Sequence, residues 1–143
     1  MTTRTLLLAL GLAWLAALAG VVWMMMLAGM RPHHALSAFL YMDMVLQACA
    51  VLSVASAAFG IFNGLAGARR RAVFGVAGAF GWGVLGAGLG VASARNGLFC
   101  TNDPIAFAVY APRYADALIV LLVGLTGAIL GLALLGRRSP RQG

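Results

Sequence analysis

Two aspartates beside or within long apolar segments are the side chains with which this sequence could move a proton or bind an ion. Asp116 follows Pro112, and Asp43 precedes Gln47 by about one helical turn. An ionisable side chain in a membrane segment is a functional candidate, because its charge is costly in lipid. We therefore predict proton or ion sites at Asp116 and Asp43, with Gln47 as a hydrogen-bonding neighbour of Asp43.

Both aspartates also have a structural interpretation. Proline is typical of the first position of a helix, so Pro112 would place Asp116 in the second turn, with Arg113 as a pairing partner. Asp43 would lie nine residues into a helix that begins at Ala35. The sequence leaves the functional and structural alternatives open for both side chains.

A group of sulfur and imidazole side chains raises a second chemical possibility, which is copper handling. These ligands suit copper, whereas methionine is also ordinary filler in apolar cores. The candidate ligands are Met26, Met30, His33 and His34. Nothing else has the spacing of a nucleophile with its base, a phosphate loop or a zinc site, so we expect no enzyme and no cofactor.

Four long apolar segments must carry these side chains. About 20 apolar residues cross a bilayer as a helix, and lipid forces the backbone to satisfy its own hydrogen bonds. With 63% hydrophobic and 9% charged residues, the chain lacks the roughly 25% charge of a water-soluble domain. We predict an all-α, polytopic four-transmembrane-helix bundle, a single membrane domain over residues 1–143. The predicted spans are 6–30, 35–62, 72–94 and 112–136.

The net charge of +7 is distributed unevenly between the two sides of such a bundle. Four crossings place seven of the ten arginines on one side, including Arg69, Arg70, Arg71, Arg137 and Arg138. By the positive-inside rule both termini are cytoplasmic, and the arginines contact lipid headgroups rather than nucleic acid. We expect a multi-pass protein of a bacterial inner membrane.

The third and fourth spans are rich in glycine at helical spacing. Small residues let membrane helices approach closely, and those of the third span fall on two faces. This pattern predicts either an oligomer or a bundle with the third span at its centre. The predicted packing glycines are Gly75, Gly78, Gly83, Gly86, Gly90, Gly124, Gly127 and Gly131.

The segment from Asp116 to Leu125, preceded by the glycine-rich span Gly75–Gly90, resembles the MotA/TolQ/ExbB proton-channel family. The resemblance covers Ala72–Gly136. It implies a pentamer-forming, stator-like subunit around partner helices. The chain departs from the family at Leu121, where a threonine is usual, and in having only Asn63–Arg71 where the family has a cytoplasmic domain.

These observations lead to one hypothesis and two alternatives. The hypothesis is a small inner-membrane subunit that forms a homo-oligomer, or joins a membrane-protein complex, through spans three and four. It would be a stator- or proton-channel-like component of ion-driven or transport machinery. The first alternative is a non-conducting scaffold or assembly subunit, and the second is copper handling at the outer face.

Overall fold

Four helices make up the computed structural model, which describes residues 3–29, 42–99 and 107–137. They are α1 (Thr3–Leu27), α2 (Met44–Leu65), α3 (Arg69–Phe99) and α4 (Phe107–Arg137). Each is long and apolar enough to cross a membrane. The predicted all-α bundle of four membrane-spanning helices is confirmed.

Helix α4 is the centre of the bundle, because it packs against all three other helices. Helices α2 and α3 also pack against each other, whereas α1 packs mainly against α4. Val21 and Met25 of α1 form a buried cluster with Ala115, and Trp14 Nε1 donates a 2.9 Å hydrogen bond to Thr126 Oγ1. The result is a trio of α2, α3 and α4 with α1 attached to one side.

Five of the seven arginines among the described residues gather at one end of the bundle, which we name the basic end; Arg95 and Arg113 lie toward the other end. Thr3 at the start of α1 lies beside Gly136 near the end of α4. Helices α2 and α3 are joined at the same end by a short turn in which Gly67 has φ +81°. Arg69–Arg71 are exposed there; Arg137 ends α4, and Arg138 lies outside the described residues. The cytoplasmic placement of this end stays a prediction.

The glycines bring helix backbones into direct contact at two places. Gly60 of α2 lies against Gly75 of α3. A Cβ atom on Gly83 of α3 would lie 2.8 Å from the Cα atom of Gly124 of α4, and one on Gly124 would lie 2.6 Å from Gly83 Cα. Such separations exclude any side chain, so glycine is required at both crossings.

The other predicted packing glycines meet side chains of the same chain. They contact these neighbours: Gly78 with Ser56, Gly86 with Val120 and Cys49, Gly90 with Ala117 and Leu46, Gly127 with Ala57 and Ala79, and Gly131 with Val76. All eight predicted glycines therefore pack against neighbours inside the bundle, where α3 contacts both α2 and α4. An oligomer that uses α3 must do so through other residues.

Polar side chains in the interior are bonded to main-chain carbonyls. The fully buried Ser53 hydroxyl of α2 donates to the Ala79 carbonyl of α3 at 2.8 Å. Asn63 Nδ2 donates to the Phe59 carbonyl at 2.8 Å. Within the described residues, no buried side-chain nitrogen or oxygen lacks a partner. The Ser53 bond ties α2 to α3, the Asn63 bond lies within α2, and both satisfy polar groups that lipid cannot.

The start of α4 differs from the prediction, since the helix begins at Phe107 and Pro112 is inside it. Proline has no N–H to donate to the preceding turn, so other contacts must hold the additional residues. The Tyr110 hydroxyl donates to the Gly97 carbonyl at 3.0 Å, and the rings of Phe107 and Tyr114 stack at 5.6 Å. Tertiary contacts with α3 therefore extend α4 beyond its proline.

Candidate functional site

A polar cleft opens at the end of the bundle opposite the basic end. Its volume is about 390 Å³. Three helices contribute to it: α2 near its start, α3 in its second half, and α4 in its first half. The residues that line the polar cleft are Asp43, Leu46, Gly90, Ser93, Arg113 and Asp116. The two aspartates predicted as proton or ion candidates therefore share one cavity.

Asp116 is the tenth residue of α4 and is half-buried in the polar cleft. It was expected in the second turn, and that prediction is wrong because α4 begins before Pro112. Asp116 lies on the inner face of α4, since Gly127, about three helical turns along the same face, packs against Ala57. Arg113, one turn earlier, is exposed and interacts electrostatically with Asp116. The predicted proximity of this cation to the carboxylate therefore holds.

Asp43 is the N-cap of α2, and its expected position nine residues inside a helix is wrong. Its carboxylate accepts a 3.1 Å hydrogen bond from the main-chain N–H of Val45. Helix N-termini leave N–H groups without partners, and aspartate satisfies them well. The main-chain N–H of Gln47 donates to the Asp43 carbonyl at 3.0 Å, so these residues are one turn apart; the hydrogen bond between their side chains stays a prediction. The segment 30–41 lies outside the described residues.

Apolar packing closes the polar cleft on the side that faces the basic end. A Cβ atom on Gly90 would lie 2.7 Å from Ala117 Cβ and 3.1 Å from Leu46 Cδ2. Further toward the basic end, Cys49 and Val120 belong to a buried apolar cluster that includes Leu46. The cleft is therefore a one-sided depression, with two carboxylates, one guanidinium and one hydroxyl above an apolar floor.

No protein-family model, curated protein or solved structure matches the chain. The resemblance of Ala72–Gly136 to the MotA/TolQ/ExbB family stays a prediction.

The uncharged length of each helix places the polar cleft at the boundary of the hydrocarbon layer. Met44–Leu65 begins directly after Asp43 and contains 22 residues. In α4, the 20 residues from Ala117 to Gly136 follow Asp116 without a charge. At 1.5 Å per residue these lengths match a hydrocarbon core of about 30 Å. Asp43 and Asp116 therefore lie at the depth where headgroups begin.

The predicted copper ligands are only partly described. Met26 is 67% exposed on the outer side of α1, while Met30, His33 and His34 lie outside the described residues. Within the part of the chain that is described, no group of three or more His, Cys, Asp or Glu side chains could hold a metal. Copper handling stays a prediction.

Sequence reasoning overlooked one face of α3 and one hydroxyl. A Cβ atom on Gly81 or on Gly88 would meet nothing within 4 Å, whereas Gly83, Gly86 and Gly90 of the same helix are buried. Both glycines lie on an exposed stripe, which we name the α3 outer face: Ala77, Gly81, Val84, Gly88 and Ala92. A helical projection alone would have identified this stripe. Ser93 of the polar cleft carried no such signal.

Proposed function

We propose that this chain is a small, non-conducting subunit of a membrane assembly, and that it associates with a second copy of itself through the α3 outer face. The observation that carries the proposal is the open space above Gly81 and Gly88 in a membrane-spanning helix. A glycine in a helix interior costs about 1 kcal/mol relative to alanine. Unlike Gly11 of α1, which leucines flank, Gly81 and Gly88 share one stripe of small residues, and a helix of a second copy packed on that stripe accounts for both.

The chemistry of the α3 outer face suits an identical partner. Its small residues recur at spacings of four, Ala77 with Gly81 and Gly88 with Ala92, which lets two backbones approach closely. Val84 between the pairs projects where it can insert beside the partner's glycines. Two copies inserted with the same orientation can pair such stripes about a twofold axis along the membrane normal.

Substitution of the two outward glycines tests this association. In mild detergent, native mass spectrometry should detect a dimer or larger oligomer of the parent chain. The double variant Gly81→Leu, Gly88→Leu should weaken association at least tenfold, because leucine holds the backbones apart. Cysteine introduced at position 81, with Cys49 and Cys100 replaced by alanine, should crosslink to its copy under oxidation.

A matched control is available on α1. A Cβ atom on Gly11 also meets nothing within 4 Å, but Leu7 and Leu15 flank it one turn away. Gly11→Leu should leave association unchanged. A parent chain that is monomeric at every protein-to-detergent ratio contradicts the proposal, as does a double variant that is folded and still associates normally.

The second candidate is a proton-channel-like component of an ion-driven complex. Its support is the inward-facing, half-buried Asp116, together with the resemblance to the proton-channel family. It predicts proton flux in liposomes that Asp116→Asn abolishes and that Asp43→Asn, on the exposed rim, reduces less. Absence of flux through the parent protein at any oligomeric state would leave only the non-conducting subunit.

A further inference from the structure

The charges of the polar cleft are complementary to a zwitterion at the membrane surface. We propose that the polar cleft binds a phosphoethanolamine group, with the ammonium at Asp116 and Asp43 and the phosphate at Arg113 and Ser93. The source of this group is the headgroup of a bilayer phospholipid. The inference does not depend on the α3 outer face.

The two carboxylates account for the ammonium. Asp116 and Asp43 approach the cleft from different helices, α4 and α2. A primary ammonium has three N–H donors and no acceptor, so it can bond both carboxylates together. Charge-assisted hydrogen bonds of this kind are shorter and stronger than neutral ones. A quaternary ammonium has no N–H group and cannot form them.

Arg113 and Ser93 account for the phosphate. The guanidinium is planar and presents donors in a fork that matches phosphate oxygens, and the serine hydroxyl supplies one more donor. Two carboxylates against one guanidinium give the cleft a formal charge of −1. A ligand with a net negative charge is therefore disfavoured, while a zwitterion with its own cation is accommodated.

The position of the cleft favours a lipid over a soluble molecule. Asp43 and Asp116 mark the depth at which uncharged helix begins. Tyr114, two residues before Asp116 in α4, is half-buried at the level where interfacial aromatic residues concentrate. An apolar groove of about 380 Å³ between α1, α2 and α4 begins at Ile119, one helical turn from Asp116. A headgroup in the polar cleft leaves an acyl chain within reach of this groove.

Lipid selectivity tests the inference. The full chain in detergent micelles would be titrated with phosphatidylethanolamine, phosphatidylcholine and phosphatidylglycerol of identical acyl chains, and bound lipid counted by native mass spectrometry. We expect phosphatidylethanolamine to bind at least tenfold more tightly than the other two, a difference of about 1.4 kcal/mol. Phosphatidylcholine is the matched ligand, since it has the same phosphate and net charge.

Variants assign the preference to the proposed groups. Asp116→Asn should abolish the preference for phosphatidylethanolamine over phosphatidylcholine, and Asp43→Asn should reduce it while keeping the helix cap, because asparagine caps as well as aspartate. Arg113→Gln should weaken the binding of phosphatidylethanolamine and of phosphatidylcholine to the same extent. Arg95 of α3 does not line the cleft, so Arg95→Gln should change neither the lipid preference nor the affinity for either lipid.

Three results would overturn the inference. They are equal binding of phosphatidylethanolamine and phosphatidylcholine by the parent chain, an undiminished preference in a folded Asp116→Asn variant, and displacement of bound lipid by free glycerophosphoethanolamine at equal concentration. The last result would assign the ligand to a soluble source. Thermal unfolding of each variant in the same micelles establishes that the bundle is intact.

Discussion

Replacing Gly83 with alanine should destabilise the bundle by about 2 kcal/mol or more. The added methyl group would lie 2.8 Å from the Cα atom of Gly124, and two helix backbones must separate to admit it. Overpacking of a close contact costs about 1–3 kcal/mol, and here the obstacle is main chain rather than a movable side chain. Unfolding in mixed micelles with increasing dodecyl sulfate would measure the loss.

The matched control lies on α1, outside the proposed interface. Gly11→Ala adds the same methyl group where nothing lies within 4 Å. Because alanine favours the helix over glycine, this variant should be as stable as the parent or more stable by up to about 1 kcal/mol. Equal stability of the two variants would contradict the backbone crossing of α3 and α4.

Shortening Leu125 to alanine should cost about 2 kcal/mol. Leu125 is among the largest fully buried side chains of the described residues, and it lies on α4, which packs against every other helix. Leu→Ala substitutions in soluble cores cost about 2–5 kcal/mol, from lost transfer energy plus a cavity. The loss of transfer energy is small here because the separated helices remain in apolar lipid. The expected cost therefore lies at the lower limit of that range, about 2 kcal/mol.

Leu130 provides the comparison for this substitution. It lies on the same helix and is 51% exposed. Lipid can therefore fill the space that the shortened side chain leaves, and no interior cavity opens. We expect Leu130→Ala to change the free energy of unfolding by less than about 0.5 kcal/mol. If Leu130→Ala and Leu125→Ala lowered the free energy of unfolding equally, the assignment of Leu130 to the lipid-facing side of α4 would be contradicted.

The sequence predicted the class of the protein well, because lipid permits few solutions. Long uncharged segments must be helices, and four of them form the described bundle. The spacing of Gly83 and Gly124 also marked them as packing residues before any partner was known. What spacing cannot provide is the identity of the neighbour: helical periodicity gives the faces of α3 but not which faces meet α2, α4 or lipid.

The polar cleft was predictable only in part, for a related reason. Asp43 and Asp116 were identified separately from their cost in an apolar environment, yet nothing in the chain joins them before the helices pack. Ser93 is an ordinary residue in its own segment and gains significance only beside the other two helices. The extension of α4 past Pro112 also depends on a tertiary bond, from Tyr110 to the Gly97 carbonyl.

The attachment of α1 to α4 has a consequence for biosynthesis. The ribosome makes α1 first and α4 last, so the first helix enters the lipid long before its principal neighbour exists. During that interval α2 and α3, joined by their short turn, can already form a hairpin, whereas α1 still lacks the helix against which it mainly packs. Completion of the bundle is thus a late event, governed by the arrival of the final helix.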